Sequence, residues 1–192
     1  MIVGVDEAGR GALAGPVVAA AVWLSPDLDS HCFKDSKVLT AAKREKLFEM
    51  VMASQAHIGI GVLSHRFIDR VNILKATMEA MKRSVVALRI SPSEILVDGN
   101  KAPDFGGILC RTIVDGDALV PCISAASIIA KVTRDRIMVA LDRKFPHYGF
   151  ATHKGYGTKA HFNALYVHGR SNVHRMTFDI SRQLELLEGH NV

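Results

Sequence analysis

A chain that ends a buried β-strand on two adjacent carboxylates has few folds open to it. Ile2-Val3-Gly4-Val5 is a short apolar run that reads as a core strand, and Asp6-Glu7 and then Ala8-Gly9-Arg10-Gly11 follow at once. Ionised carboxylates do not enter a sheet interior without compensation. A divalent cation offsets that cost, and hard oxygen donors select magnesium or manganese. The glycines permit close backbone approach to a ligand, and Arg10 offers a guanidinium fork suited to phosphate. Neighbouring strand residues point to opposite faces, so one of the two acids is free to be an ordinary solvated strand end. For both to meet one metal cluster, Glu7 must sit where the strand bends or reach round its edge.

The same arrangement recurs. Glu94-Ile95-Leu96-Val97 is a strand pattern that runs into Asp98-Gly99-Asn100, and residues 111–114 run into Asp115-Gly116-Asp117. Asp-Gly alone is a common turn. Three strands ending on acid beside glycine instead suggest one carboxylate cluster. If the strands starting near residues 3, 95 and 111 lie parallel and adjacent, their ends meet where such sheets bind ligands.

The rest of the pattern supplies the frame. Residues 17–24 read as a second buried strand, hairpinned to the first through 12–16. Thr40 is placed to cap a helix over about 40–55. Residues 58–62 alternate as a half-buried strand weakened by Gly59 and Gly61. Ser64 caps a short helix, and Asn72 a longer one to about 89. A long helix is expected over 124–145 and another over 158–166, with a last amphipathic helix over 181–187. Antiparallel strands first, then helix–strand alternation, give an α/β fold with a mixed sheet. The tail from 147 to 157 interleaves aromatics, glycines and basic groups, which suits stacking on a sugar or base.

Composition sets limits. With 192 residues, 48% of them hydrophobic and 22% charged, the chain suffices for one domain with a sizeable core. The net charge of +5 is compatible with an anionic partner. Cys32, Cys110 and Cys122 have no zinc spacing, and their odd number argues against a disulfide framework. No run is long enough to span a bilayer and no basic leader precedes the first apolar run, so a cytoplasmic protein with no membrane partner is expected. His-Glu-x-x-His, Gly-x-Ser-x-Gly, the phosphate-loop pattern and a correctly spaced Gly-x-Gly-x-x-Gly are all missing from the sequence. Clustered acids with basic neighbours point to metal-dependent phosphodiester hydrolysis.

At this level the sequence closely resembles the bacterial ribonuclease HII family, the type 2 ribonucleases H. The resemblance rests on residues 5–11, Asp35-Ser36-Lys37, 97–100, Gly116-Asp117, 124–135 and His153-Lys154-Gly155-Tyr156 in that order. It implies a single type 2 catalytic domain over residues 1–192. Its ribonuclease H-like fold has a mixed central sheet flanked by helices and a small C-terminal helical appendage, with about 146–192 contacting substrate. It implies an endonuclease that cuts the RNA strand of RNA–DNA hybrids and incises DNA 5′ to an embedded ribonucleotide, leaving 3′-hydroxyl and 5′-phosphate ends. By motif match the catalytic, metal-holding acids fall on Asp6, Glu7, Asp98 and Asp117, with two Mg²⁺ or Mn²⁺ ions during catalysis. Gly9, Arg10, Gly11, Lys37 and Tyr156 fall on the substrate-binding positions, the turn and the tyrosine as readers of the 2′-hydroxyl. Two departures stand out. Asp115 replaces a lysine common in relatives, and Val38 replaces a second lysine. Lys37, Lys131, Lys154 and Arg175 are the candidates for contact with the duplex. No sliding-clamp motif is evident near 188–192, and a monomer is expected. Another nuclease of the same fold, such as a junction resolvase, or a non-catalytic nucleic-acid-binding protein remains the alternative.

Overall fold

The computed structural model describes residues 1–33 and 39–181. Lys37, with Asp35, Ser36 and Val38, lies outside the described residues, as do most of the expected helix over 181–187 and the stretch 188–192.

Five strands form one sheet. They are β1 (Ile2–Ala8), β2 (Val17–Trp23), β3 (His57–Leu63), β4 (Glu94–Asp98) and β5 (Leu109–Ile113), in the order β3-β2-β1-β4-β5. β1 pairs antiparallel with β2 and parallel with β4, and β4 pairs parallel with β5. The sheet is therefore mixed, and the three strands that run towards acidic residues are adjacent and parallel. The helices are α1 (Ala41–Ala53), α2 (His65–Val71), α3 (Ile73–Ala87), α4 (Gly116–Leu119), α5 (Pro121–Asp142), α6 (Phe150–His153) and α7 (Lys159–His168). Thr40, Ser64, Asn72 and Thr158 cap α1, α2, α3 and α7, each accepting from the backbone N–H three residues on. An orphan donor of the first turn is satisfied in each case.

Residues 17–22 are fully buried because both faces of β2 are covered. Val3, Val5, Val17, Ala19 and Ala21 face α2 and α3 beside Ile68, Ala76, Ala80 and Met81. Ala8, Val18, Ala20 and Val22 face α1 and α5 beside Phe48, Val51, Ala125 and Ile129. The two-residue period of the strands thus separates two cores. β3 differs from its sequence pattern. Its glycines form the closely covered side and Val62 is exposed. A Cβ on Gly59 or Gly61 would stand 2.0 Å from the Ser84 carbonyl oxygen or 2.1 Å from that of Ala80, so the missing side chains let α3 lie directly on the strand.

A third core gathers Ala14, Met138, Tyr148, Phe150, Leu165, Val173 and Ile180. The link between β1 and β2 holds this C-terminal part by its backbone. Leu13 N–H donates to the Gly155 carbonyl (2.8 Å), Gly15 N–H to that of Val173 (2.9 Å) and Arg175 N–H to that of Leu13 (2.9 Å). A segment expected to be a simple hairpin connection is also the seam between the two ends of the chain.

Candidate active site

β1 delivers its two acids to opposite faces at the end where β4 stops. Asp6 lies on the α5 side and is 6% exposed, accepting from the Glu7 N–H at 2.7 Å. Burial pushes its carboxyl well above the ordinary carboxylate range; the charge of Glu7 and, more weakly, that of Asp98 act the same way, while a hydrogen bond with Ser127 opposes them. Glu7 is raised as well, chiefly by burial, with Arg10 pulling it down and Asp98 pushing it up. Its carboxylate meets Arg10 Nη1 at 3.2 Å, so in this state Arg10 is turned to Glu7. Glu7 and Arg10 border two cavities. One, of about 40 Å³, lies with Asp98, Gly99 and Asn100. The other, of about 390 Å³, is lined among others by Gly9, Gly11, Asp117, Ser127, Lys131 and Tyr156. Glu7 thus borders both cavities from within β1.

Asp117 is reached differently from the expected strand end. β5 stops at Ile113, and Asp117 sits in the short helix α4, 7% exposed. Its N–H donates to Asp98 Oδ1 at 3.2 Å, which ties the ends of β4 and α4 together. Gly116 permits this approach, since a Cβ there would stand 3.3 Å from the same oxygen and 2.7 Å from Ile123. Asp115, two residues earlier, is exposed with φ of 55°. Gly9-Arg10-Gly11 and Tyr156, far apart in sequence, face one cavity. Gly9 and Gly11 do so for different reasons. Gly9 has φ of 97° and a Cβ on it would stand 2.0 Å from Arg134 Nε, whereas a Cβ on Gly11 would meet nothing within 4 Å.

The model of the family described as Ribonuclease HII matches residues 3–181. The chain belongs to the ribonuclease HII family. A ribonuclease HII of Coxiella burnetii is 50% identical over 186 residues, 97% of this chain and 92% of that protein. One from Acidovorax sp. strain JS42 is 53% identical over 186 residues, 96% of this chain and 88% of that protein. The ribonuclease HII of Archaeoglobus fulgidus, solved in complex with PCNA, superposes with a TM-score of 0.76 at 28% identity, covering 92% of each chain. The fold is therefore that of ribonuclease H, and this family member is an enzyme of the ribonuclease H class.

Ribonucleases HII depend on divalent metal, and the residues here fit such an ion. Asp6, Glu7 and Asp98 are oxygen donors; burial first, and then the charge of neighbouring acids, raises Asp6 and Glu7. Among the described residues, no three acidic, histidine or cysteine side chains are drawn together as a finished ligand set. The duplex-contact candidates divide. Lys131 lines the larger cavity but is paired with Asp135 at 2.6 Å. Lys154 borders an adjoining groove of about 490 Å³ with Arg44, Arg136 and Arg143. Arg175 does not face a duplex, because it is 1% exposed. Arg44, which lines both spaces, carries no signal in the sequence beyond lying on the polar side of a helix. Ser127 lies within the small-residue run of α5, and only the fold reveals that its hydroxyl meets Asp6.

Proposed function

We propose that the chain hydrolyses the RNA strand of RNA–DNA hybrids and incises duplex DNA on the 5′ side of a single embedded ribonucleotide, leaving 3′-hydroxyl and 5′-phosphate ends. The observation that carries this reading is the convergence of Glu7, Asp117, the Gly9-Arg10-Gly11 turn and Tyr156 on one cavity, with Asp98 on the smaller cavity that Glu7 also borders and Asp6 bonded to Ser127, which lines the first. Asp6, Glu7, Asp98 and Asp117 hold the divalent ions, Mg²⁺ or Mn²⁺. The bound metals supply an activated water and neutralise charge on the leaving oxygen.

The protein's own groups do the rest. Burial raises the cost of the acids until a cation arrives, which makes the site selective for positive charge. The turn and Tyr156 read the ribose, the turn through backbone groups without side-chain bulk and the tyrosine by its face against the sugar. A site built to bond a hydroxyl rejects the deoxy substrate strongly, because its own polar groups are then left unpaired. Arg10, turned to Glu7 here, is available to a phosphate once a cation takes its place beside that carboxylate. The part from about residue 146 onward serves as the substrate-contacting part, since it carries Tyr156.

The test uses end-labelled duplex DNA with one embedded ribonucleotide beside an all-DNA control, with Mg²⁺, Mn²⁺ or a chelator. Metal-dependent incision 5′ to the ribonucleotide, lost in D6N and weakened in Y156F, is the expected result. Equal cutting of the all-DNA duplex would point to a broader nuclease, and binding without cutting would remove the enzyme reading.

A further inference from the structure

Two arginines lie wholly inside this protein. Arg134, on α5, is 0% exposed and Arg175 is 1% exposed. Among the described residues neither forms an ion pair; both are satisfied by main-chain carbonyls. Arg134 donates to Pro16 (3.0 Å), Ala14 (3.1 Å) and Lys154 (2.9 Å). Arg175 donates to Gly9 (2.7 Å), Arg10 (2.8 Å), Gly15 (3.2 Å) and Pro16 (3.2 Å). The Arg134 guanidinium also lies over the Tyr156 ring, 5.2 Å from its centroid. Six carbonyls, five from the link after β1 and one from the residue two before Tyr156, are thus gathered on two buried cations, with that of Pro16 shared by both.

The peptide plane says what this does. Every peptide bond described is trans, so each N–H points opposite to the carbonyl of its own peptide unit. The Gly9 and Arg10 carbonyls point inward at Arg175. The N–H groups of Arg10 and Gly11 are therefore turned outward, away from the guanidinium. Among the described residues neither has an acceptor, and the cavity lined by Gly9, Arg10, Gly11 and Tyr156 lies outside the turn, where Arg175 does not border it. Successive outward amides backed by positive charge make an anion- and hydroxyl-binding concavity. Two full charges are an expensive way to hold a turn, since burying an unpaired ion costs far more than burying a neutral donor. Their charge reinforces the pull of the outward amides on an anion.

We infer that Arg175 and Arg134 are positioning residues that set the ribose specificity of this site: from behind the turn they fix the Arg10 and Gly11 amides and the Tyr156 ring for a ribonucleotide and its flanking phosphate. This deepens the reader reading above and rests on it.

The experiment compares R175Q, R175K and R134K with wild type in the full chain. Thermal melting checks the fold. Steady-state KM and kcat are measured on duplex with one ribonucleotide, and affinity is measured on all-DNA duplex. The expected result for R175Q is a rise in KM of about tenfold or more with kcat little changed, which marks lost binding rather than lost chemistry. All-DNA affinity stays as in wild type, and R175K, which keeps the charge but not the fork, recovers part of the loss. Folded variants with unchanged KM overturn the inference. Wild-type protein gives an independent measurement. With chelator present, ribonucleotide-containing duplex shifts the NMR signals of the Arg10 and Gly11 amides and of Arg175 Nε, and all-DNA duplex does not. A silent Arg175 Nε overturns the inference even if the variants fail to fold. G11A separates the two levels. If G11A loses the ribose preference while R175Q keeps it, the reader stands and the arginine role falls. If G11A keeps the preference, the reader itself falls.

Discussion

Gly9 and Gly11 look interchangeable in the sequence and are not. Any side chain at Gly9 collides with Arg134, so G9A disturbs the fold around the turn. At Gly11 the fold leaves open space, so G11A is expected to melt within a degree or two of wild type, a surface-type change of about 0.5 kcal/mol or less. It still loses ribonucleotide-directed incision, because the added methyl projects into the cavity. Unchanged incision by folded G11A would contradict this. Asp6 makes the complementary prediction, where function opposes stability. Its folded proton affinity is raised, so above its ordinary value of 3.8 the folded chain holds more protons than the unfolded one. Its contribution is complete at low pH and is lost as pH rises through the folded value. In chelator at neutral pH, D6N is therefore expected to raise Tm, each kcal/mol being worth about 2–4 °C in a chain of this size. The same substitution is expected to abolish cleavage in Mg²⁺ or Mn²⁺. A lower Tm for D6N in chelator would show that the carboxylate is not strained.

The strands and the capped helices were legible because they rest on local rules: period-two patterns, continuous apolar runs, and Ser, Thr or Asn at a helix start. That β1, β4 and β5 are parallel neighbours stands in the sequence only as the condition for their acids to meet, and the fold supplies it. What local rules do not reach is contact. In β3, the glycines look like weak points, yet α3 packs directly on them, and no periodicity reports a helix that uses missing side chains. G61A is expected to cost about 1–3 kcal/mol or more through overpacking against the Ala80 carbonyl, read as a lower midpoint in urea. A neutral G61A would mean that α3 can withdraw. Asp117 was placed at a strand end and instead sits in α4, because the Gly116 turn is set by Asp98 and Ile123 from other parts of the chain. Arg175, a candidate for duplex contact in the sequence, is buried instead. Its partners are carbonyls, which every residue has, so nothing in the sequence marks them.

Across the whole molecule, charge and protonation set two further expectations. The groove holding Arg44, Arg136, Arg143 and Lys154 continues from the cavity at Arg44. R143Q is expected to weaken binding of hybrid and all-DNA duplexes alike and to reduce the salt slope by about one. An unchanged slope places the duplex elsewhere. In the C-terminal core, burial lowers His161 and His174 to about 4, and their Nε2 atoms are 3.0 Å apart. The unfolded chain binds more protons than the folded one between about 4 and 6.5, so this part of the stability is full above 6.5 and lost as pH falls towards 4. Wild type should lose Tm over that window and H174N should lose less; parallel curves would count against the pair. His161 also bonds the Tyr156 carbonyl at 3.0 Å, a contact that favours the protonated ring, so acid acts on the His161–His174 contact and not on this one. The seam between the chain ends has a consequence for synthesis. Gly9 waits for Arg175, 166 residues later. At roughly 5–20 residues per second, a ribosome takes about 8–33 s to cover that distance. A nascent chain therefore carries Asp6 and Glu7 for that interval without the Arg175 support of the neighbouring turn, and the turn is expected to take its final form only after Arg175 has been made.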